Sequence, residues 1–260
     1  MKAEPTPAQR LRRMHDVLAD AYGPQHWWPA VTPFEVIVGA YLTQNTSWKS
    51  VERSLANLNA VDALHIDGLR ALDLHELQLL IRPSGFQTRK APALKAFVAM
   101  LDEEFSGSLD ALAASPTAPL RRRLLALPGV GPETADAILL YALHHPVPVA
   151  DEYLRRIATR HELTPPSAGK LGYESLVVLT RDAFQADPGA AQAELFNEMH
   201  ALVVAVGKAH CGRSPECTRC PLAYDLAFLR PVDREPAAGA KTGIKAATKG
   251  SRVGTSLSKS

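Results

Sequence analysis

The residues of this chain best placed to do chemistry are gathered in residues 127–151, LPGVGPETADAILLYALHHPVPVAD. Gly129 and Gly131 can take positive φ and carry no side chain, so backbone N–H groups there can approach a phosphate closely. Pro132 falls where the first residue of a helix belongs, and a helix start adds its partial positive charge to such a phosphate site. Ala135, Ile138, Leu139 and Ala142 recur at helical spacing, and His144-His145-Pro146 ends the helix. Val147 to Ala150, apolar and Pro-constrained, then deliver Asp151. A GxG turn alone serves many helix pairs; hairpin, helix and aspartate together point to capture of a DNA backbone followed by chemistry at a carboxylate. Asp151 also suits the N-cap of the helical run EYLRRIATRH, and Glu133 suits the positive end of its own helix.

This segment resembles the helix-hairpin-helix, Gly/Pro-rich, aspartate superfamily of base-excision DNA glycosylases, to which endonuclease III belongs. LPGVG matches the hairpin, PV and PVAD the Pro-rich run, and Asp151 the aspartate of that pattern. The resemblance puts Glu133 in the slot where bifunctional members carry the lysine that attacks the sugar. A glutamate cannot form a Schiff base, and covalent amine catalysis needs a lysine of depressed pKa. The implied enzyme is monofunctional: it cuts the N-glycosidic bond with water and leaves the abasic strand intact. Asp151 would stabilise the oxocarbenium-like sugar and orient or deprotonate the water, with Glu133 as a second catalytic carboxylate.

Upstream, WWP at 27–29 and YLTQNTSW at 41–48 resemble the base pocket of the 3-methyladenine DNA glycosylase branch, and all three tryptophans fall within 22 residues. The resemblance implies that Trp27 and Pro29 form one wall around an extruded purine and Trp48 the other, with Trp28 lining the site or packing behind it. N-alkylated purines are cationic, so an aromatic sandwich selects them by stacking and cation–π attraction of about 0.5–2 kcal/mol per contact. Gln44 matches the glutamine that fills the hole left by the flipped base. The turn IRPSGFQTRKAPAL at 81–94 resembles the loop that wedges the duplex, and Arg82, Arg89 and Lys90 are its expected phosphate contacts.

Near the C-terminus, Cys211-x5-Cys217-x2-Cys220 resembles the four-cysteine iron–sulfur loop of endonuclease III relatives, but the fourth cysteine, expected near Leu226, is missing. His210 or Asp225 are the candidate replacements, zinc on three cysteines and a histidine would use the same residues, and a loop without any metal is the third reading. Three cysteines, two of them in CxxC, suit a reducing compartment rather than disulfides.

At 260 residues, 46% hydrophobic and 22% charged, the chain can bury one large or two small cores. The first thirty residues hold no apolar leader and no run reaches 18 apolar residues, so a soluble intracellular protein without a membrane span is expected; the family resemblance implies a cytoplasmic, nucleoid-associated monomer acting on damaged duplex DNA. The net charge is only +2, and residues 231–260 hold six Lys/Arg against two Asp/Glu, leaving residues 1–230 near −2. DNA binding must therefore come from a local basic face and backbone amides.

The patterning is helical nearly throughout, with no two-residue alternation long enough for a sheet. Thr6-Pro7 opens a helix with Leu11, Met14, Leu18 and Tyr22 on one stripe and Gly23 at its end; Thr32-x-x-Glu35 and Asp73-x-x-Glu76 read as capping boxes. AELFNEMHALVVAVG at 193–207 reads as a helix ended by Gly207. The expected fold is all-α: a six-helix barrel over residues 30–145 ending in the hairpin, a second helical domain from 1–29 and 146–230, and a disordered basic tail at 231–260; the family resemblance implies an active site in the cleft between the two domains. Two other functions fit the residues less well: a bifunctional endonuclease III-type enzyme for oxidised pyrimidines, which the absence of a lysine at 133 opposes, and a catalytically silent DNA-binding protein, which Asp151 opposes.

Overall fold

The computed structural model describes residues 4–25, 27–28, 30–163, 171–187 and 189–226. They form helices joined by turns, with no strand among the described residues: α1 (Pro7–Tyr22), α2 (Pro33–Thr43), α3 (Trp48–Ala60), α4 (Ile66–Ala71), α5 (Leu74–Leu80), α6 (Gln87–Phe105), α7 (Leu109–Ala113), α8 (Thr117–Leu125), α9 (Pro132–Ala137), α10 (Glu152–Arg160), α11 (Tyr173–Ala183), α12 (Gly189–Ala209) and α13 (Ala223–Leu226). Among the described residues no helix is long and apolar enough to cross a membrane. The calls on Pro29 and on the 231–260 tail lie outside the described residues.

Local chemistry accounts for where several helices begin. The Thr6 hydroxyl accepts from Gln9 N and the Gln9 side chain from Thr6 N, and α1 closes at Gly23 with φ 68°. Asp73 and Glu76 make the same reciprocal pair at α5. At α2 the box is incomplete: Thr32 accepts from Glu35 N, but the Glu35 carboxylate reaches Val31 N instead of the cap residue.

The nearly all-apolar α2 is the buried axis of the middle of the chain, packed against α3, α6, α9 and the turn after α9. Residues 30–145 hold eight α-helices rather than the expected six, because α4, α5, α7 and α9 are only five to seven residues long. One continuous cluster of buried side chains runs from this region into residues 146–226. As expected, α1 folds back onto α11 and α12, with Leu11, Met14 and Leu18 fully buried, each worth about 1.5–3 kcal/mol of apolar burial.

Two buried carboxylates join distant parts of the chain. Arg10 of α1 donates to both oxygens of Asp225 (3.0 and 2.6 Å) and to the His161 carbonyl (2.6 Å), while His161 Nδ1 lies 2.9 Å from Asp225. Arg121 of α8 donates twice to Asp136 of α9 (2.6 and 2.9 Å), which also accepts from the Tyr173 hydroxyl of α11 (2.9 Å). The second network ties the hairpin's helix to the C-terminal half.

Two helix expectations are corrected. Gly207 does not end α12, which runs on to Ala209; a Cβ at 207 would lie 2.2 Å from the Tyr153 ring, so this glycine serves close packing of α10 on α12. The helix after the hairpin is α-helical only to Ala137, and Ile138–Ala142 continue it as a wider π-helical turn.

Candidate active site

The hairpin follows the expected geometry at one glycine and departs from it at the other. Gly129 takes φ 74°. Gly131 is extended, with φ −94° and ψ 175°, and acts as N-cap of α9 with Pro132 at the first helical position. Its usefulness is therefore its missing side chain: a Cβ there would meet nothing within 4 Å, so the backbone faces open space. Gln44, at the end of α2, donates its amide to Gly129 O and to Thr134 Oγ1, both at 2.9 Å. This side chain braces the hairpin.

Asp151 stands where the Pro-rich run meets α10. Its Oδ1 accepts from Leu154 N at 2.8 Å, so the N-cap role read from the sequence is present. Its Oδ2 lies 3.6 Å from His200 Nε2 of α12, and both side chains are about nine-tenths buried. His200 Nδ1 is hydrogen-bonded to the Tyr141 hydroxyl, and the two rings stack with centroids 5.8 Å apart and planes at 28°. Burial, then the charges of Asp151 and Glu133, push the Tyr141 phenol well above its ordinary value, so it stays protonated and able to donate.

The tryptophans complete this arrangement. Trp28 is the central ring: its centroid lies 5.2 Å from Tyr141, 5.3 Å from Trp48 and 6.0 Å from Trp27. It lines the site and also rests on Gly39, where a Cβ would come within 3.3 Å of its ring. Trp48, Trp28, Tyr141, His200 and Asp151 thus form an unbroken chain of contacts, which joins residues distant in sequence. The indole nitrogens of Trp27 and Trp28 are buried without a hydrogen-bond partner among the described residues, and Lys208 Nζ stands 5.9 Å above the Trp27 ring.

Glu133, in the first turn of α9, keeps an exposed edge. Crowding by surrounding protein and then the charge of Asp151 raise its pKa, with His200 acting in the opposite direction. The two carboxylates therefore sense one another. Asp136, three residues on, is fully buried and matched by Arg121 and Tyr173, which makes it a structural group.

Arg82 on the turn between α5 and α6 and Arg89 in the first turn of α6 are both exposed. Lys90 is a correction. It is buried, and its ammonium donates to Leu42 O, Thr46 Oγ1 and Ser84 O at 2.8–2.9 Å, so all three donors are used inside the protein. Burial lowers its pKa to about 8. The oxygens that receive it come from α2, the loop after it and the turn before α6, a convergence that charge spacing in the sequence does not reveal. Beside it Phe86 is more than half exposed, with a left-handed backbone (φ 51°) that a side chain rarely adopts.

The cysteine loop does not fit a metal cluster as folded. Cys211, Cys217 and Cys220 line a cavity of about 30 Å³, room for one or two waters, and Leu226 lines it where the fourth ligand is missing. Cys211 Sγ accepts from Arg160 at 2.9 Å, Asp225 is held by Arg10 and His161, and His210 pairs with Glu216 at 3.3 Å. Among the described residues no three His, Cys, Asp or Glu side chains converge as a ligand set.

This constellation has relatives. Residues 38–178 match the family described as HhH-GPD superfamily base excision DNA repair protein. A candidate DNA repair glycosylase of Methanocaldococcus jannaschii is 38% identical over 216 residues, covering 82% of this chain and 94% of its own. The chain belongs to the HhH-GPD superfamily. Like its members, it is a DNA glycosylase of base excision repair. Among solved structures, the H. pylori 3-methyladenine DNA glycosylase bound to 1,N6-ethenoadenine is 26% identical with a TM-score of 0.65, covering 78% of this chain and 98% of its own. A trapped endonuclease III–DNA covalent intermediate shares the fold, at 23% identity and a TM-score of 0.66 over 86% of this chain and 99% of its own.

Sequence reasoning missed Tyr141, His200, Asp136 and Phe86. Asp136 was detectable in principle, as one charge inside the apolar run ADAILLYAL, and His200 as one imidazole on a mostly apolar helix. Neither signal names the partner.

Proposed function

We propose that this HhH-GPD glycosylase is monofunctional, flipping an alkylated purine such as 3-methyladenine out of duplex DNA and removing it by hydrolysis. The observation that carries this reading is the path from Trp48 through Trp28, Tyr141 and His200 to Asp151, with a glutamate rather than a lysine at position 133 beside it. A cationic purine already has a weakened glycosidic bond, so stacking selects it and little acid catalysis is needed. What the protein must supply is negative charge beside the developing sugar cation, which Asp151 provides, and a placed water. Glu133, with its raised pKa, is the group positioned to exchange a proton with that water.

The DNA-handling residues surround this path. The open backbone at Gly131 and the start of α9 receive a phosphate, and Arg82 and Arg89 receive others. Exposed Phe86 enters the base stack, and Gln44 leaves the hairpin to meet the orphaned base. The similarity to the H. pylori 3-methyladenine enzyme supports the choice of substrate.

The test is base release from duplexes carrying 3-methyladenine or thymine glycol, with and without hot alkali, alongside borohydride trapping on abasic DNA. Release of 3-methyladenine, strand cutting only after alkali and no trapped adduct are expected. Spontaneous cutting at thymine glycol with a trapped adduct would overturn the reading, and loss of the adduct in Lys208→Ala would then identify the amine.

A further inference from the structure

We propose that Tyr141 and His200 are a positioning pair that aims the catalytic carboxylate of Asp151. The inference rests on the reading of Asp151 as the group that stabilises the sugar cation. Asp151 arrives at the end of a Pro-constrained loop, and only one of its oxygens, Oδ1, is secured by its own helix. The other, Oδ2, faces His200 Nε2 across 3.6 Å, a contact that needs only a small closure to become a hydrogen bond.

Which proton His200 presents is decided at its other nitrogen. The Tyr141 hydroxyl meets Nδ1, and a buried phenol among carboxylates keeps its proton and donates it. Nδ1 is then the acceptor, so Nε2 carries the hydrogen that points at Asp151. The ionisable groups facing His200 are Asp151 at the start of α10, Glu133 on α9 and Tyr141 on the π-helical turn. That turn has a clear part in the geometry: the wider winding of Ile138–Ala142 carries Tyr141 between Trp28 and His200, so the aromatic wall and the carboxylate are set by one side chain. His200 itself comes from α12, which packs on the π-helical turn and on α10. Asp151 is therefore aimed only when the two halves of the fold are docked.

The experiment has two readouts on the full-length protein. The first is nitrogen-15 NMR of the His200 ring near neutral pH, which is independent of any substrate. The neutral Nε2–H tautomer in wild type, shifting toward a mixture in Tyr141→Phe, is expected; a neutral Nδ1–H tautomer in wild type would overturn the proposal. The second is single-turnover base release as a function of substrate concentration. Tyr141→Phe and His200→Phe are expected to slow release by about 10- to 100-fold with KM unchanged. His200→Gln, which keeps an N–H donor, is expected to recover part of the rate. An unchanged rate, or an effect confined to KM, would overturn it. A wild type that leaves 3-methyladenine untouched while showing the Nε2–H tautomer would overturn the substrate assignment alone; the same variants then read the pair on the lesion that is excised.

Discussion

Helix α10 begins and ends against an aspartate–histidine pair, and the two pairs differ in what closes them. At its C-terminal end His161 meets Asp225 at 2.9 Å, and Arg10 adds two further bonds to the same carboxylate, which is only 1% exposed. At its N-terminal end Asp151 meets His200 at 3.6 Å with no guanidinium on it among the described residues, and its side chain keeps 11% exposure. The first pair is neutralised: burial raises the Asp225 pKa, but the bonds from His161 and Arg10 outweigh this and hold it below the ordinary carboxylate value. The second has one oxygen on the helix cap and the other facing only an imidazole, beside the Tyr141 and Trp28 rings. A buried carboxylate with every lone pair answered holds a fold together; one left partly unanswered is available to a developing cation.

The comparison can be broken at several places. The largest effect is expected at Asp151→Asn, which keeps a competent helix cap but removes the charge: base release should fall about a thousandfold or more, with melting temperature near that of wild type. A variant that excises at the wild-type rate would remove Asp151 from the mechanism. Arg10→Met should do the opposite, costing about 3–5 kcal/mol in urea unfolding by leaving Asp225 buried without its cation, while release per folded molecule stays the same. The acid behaviour sharpens this. Because the Asp225 pKa is depressed on folding, its contribution is present above the ordinary value near 3.8 and lost as pH falls through the lower folded value. Arg10→Met should flatten that part of the stability–pH curve.

A smaller effect is expected at Glu133. Its folded pKa is raised above the ordinary value near 4.5, so the stability linked to its proton is complete below that value and lost as pH rises through the folded one. Glu133→Gln should therefore melt at or above the wild-type temperature at pH 7, with the difference vanishing in acid, while base release slows about tenfold. If instead the variant melts lower at pH 7, the side chain is a stabilising first-turn carboxylate and no more. The smallest change belongs to Phe86→Gly: removing an exposed ring from a left-handed position should leave stability equal or slightly improved, and weaken release several-fold through DNA binding. Unaltered release would exclude Phe86 from the base stack.

Much of this molecule is legible from residue types because the deciding physics is local. Thr6, Asp73 and Pro132 mark helix starts through bonds made within three or four residues. Asp151 is readable as a cap for the same reason, and the family resemblance of the hairpin and tryptophan segments points to the right superfamily. The errors fall where a distant partner decides. Lys90 looks like a phosphate ligand in GFQTRK and is instead enclosed by α2 and the turn before α6. Gly207 looks like a helix end and is a seat for Tyr153.

By itself, then, the sequence determined an all-helical chain, the hairpin with its glycines, and the identity of position 133, because capping, periodicity and the chemistry of one side chain are properties of neighbours along the chain. Only the tertiary structure decided that Tyr141 and His200 stand between the tryptophans and Asp151, and that Asp136 and Asp225 are met by arginines while Asp151 meets a histidine. The type of a carboxylate does not set its role; the number and charge of the donors that folding brings to it do, and those donors arrive from helices far apart in the sequence.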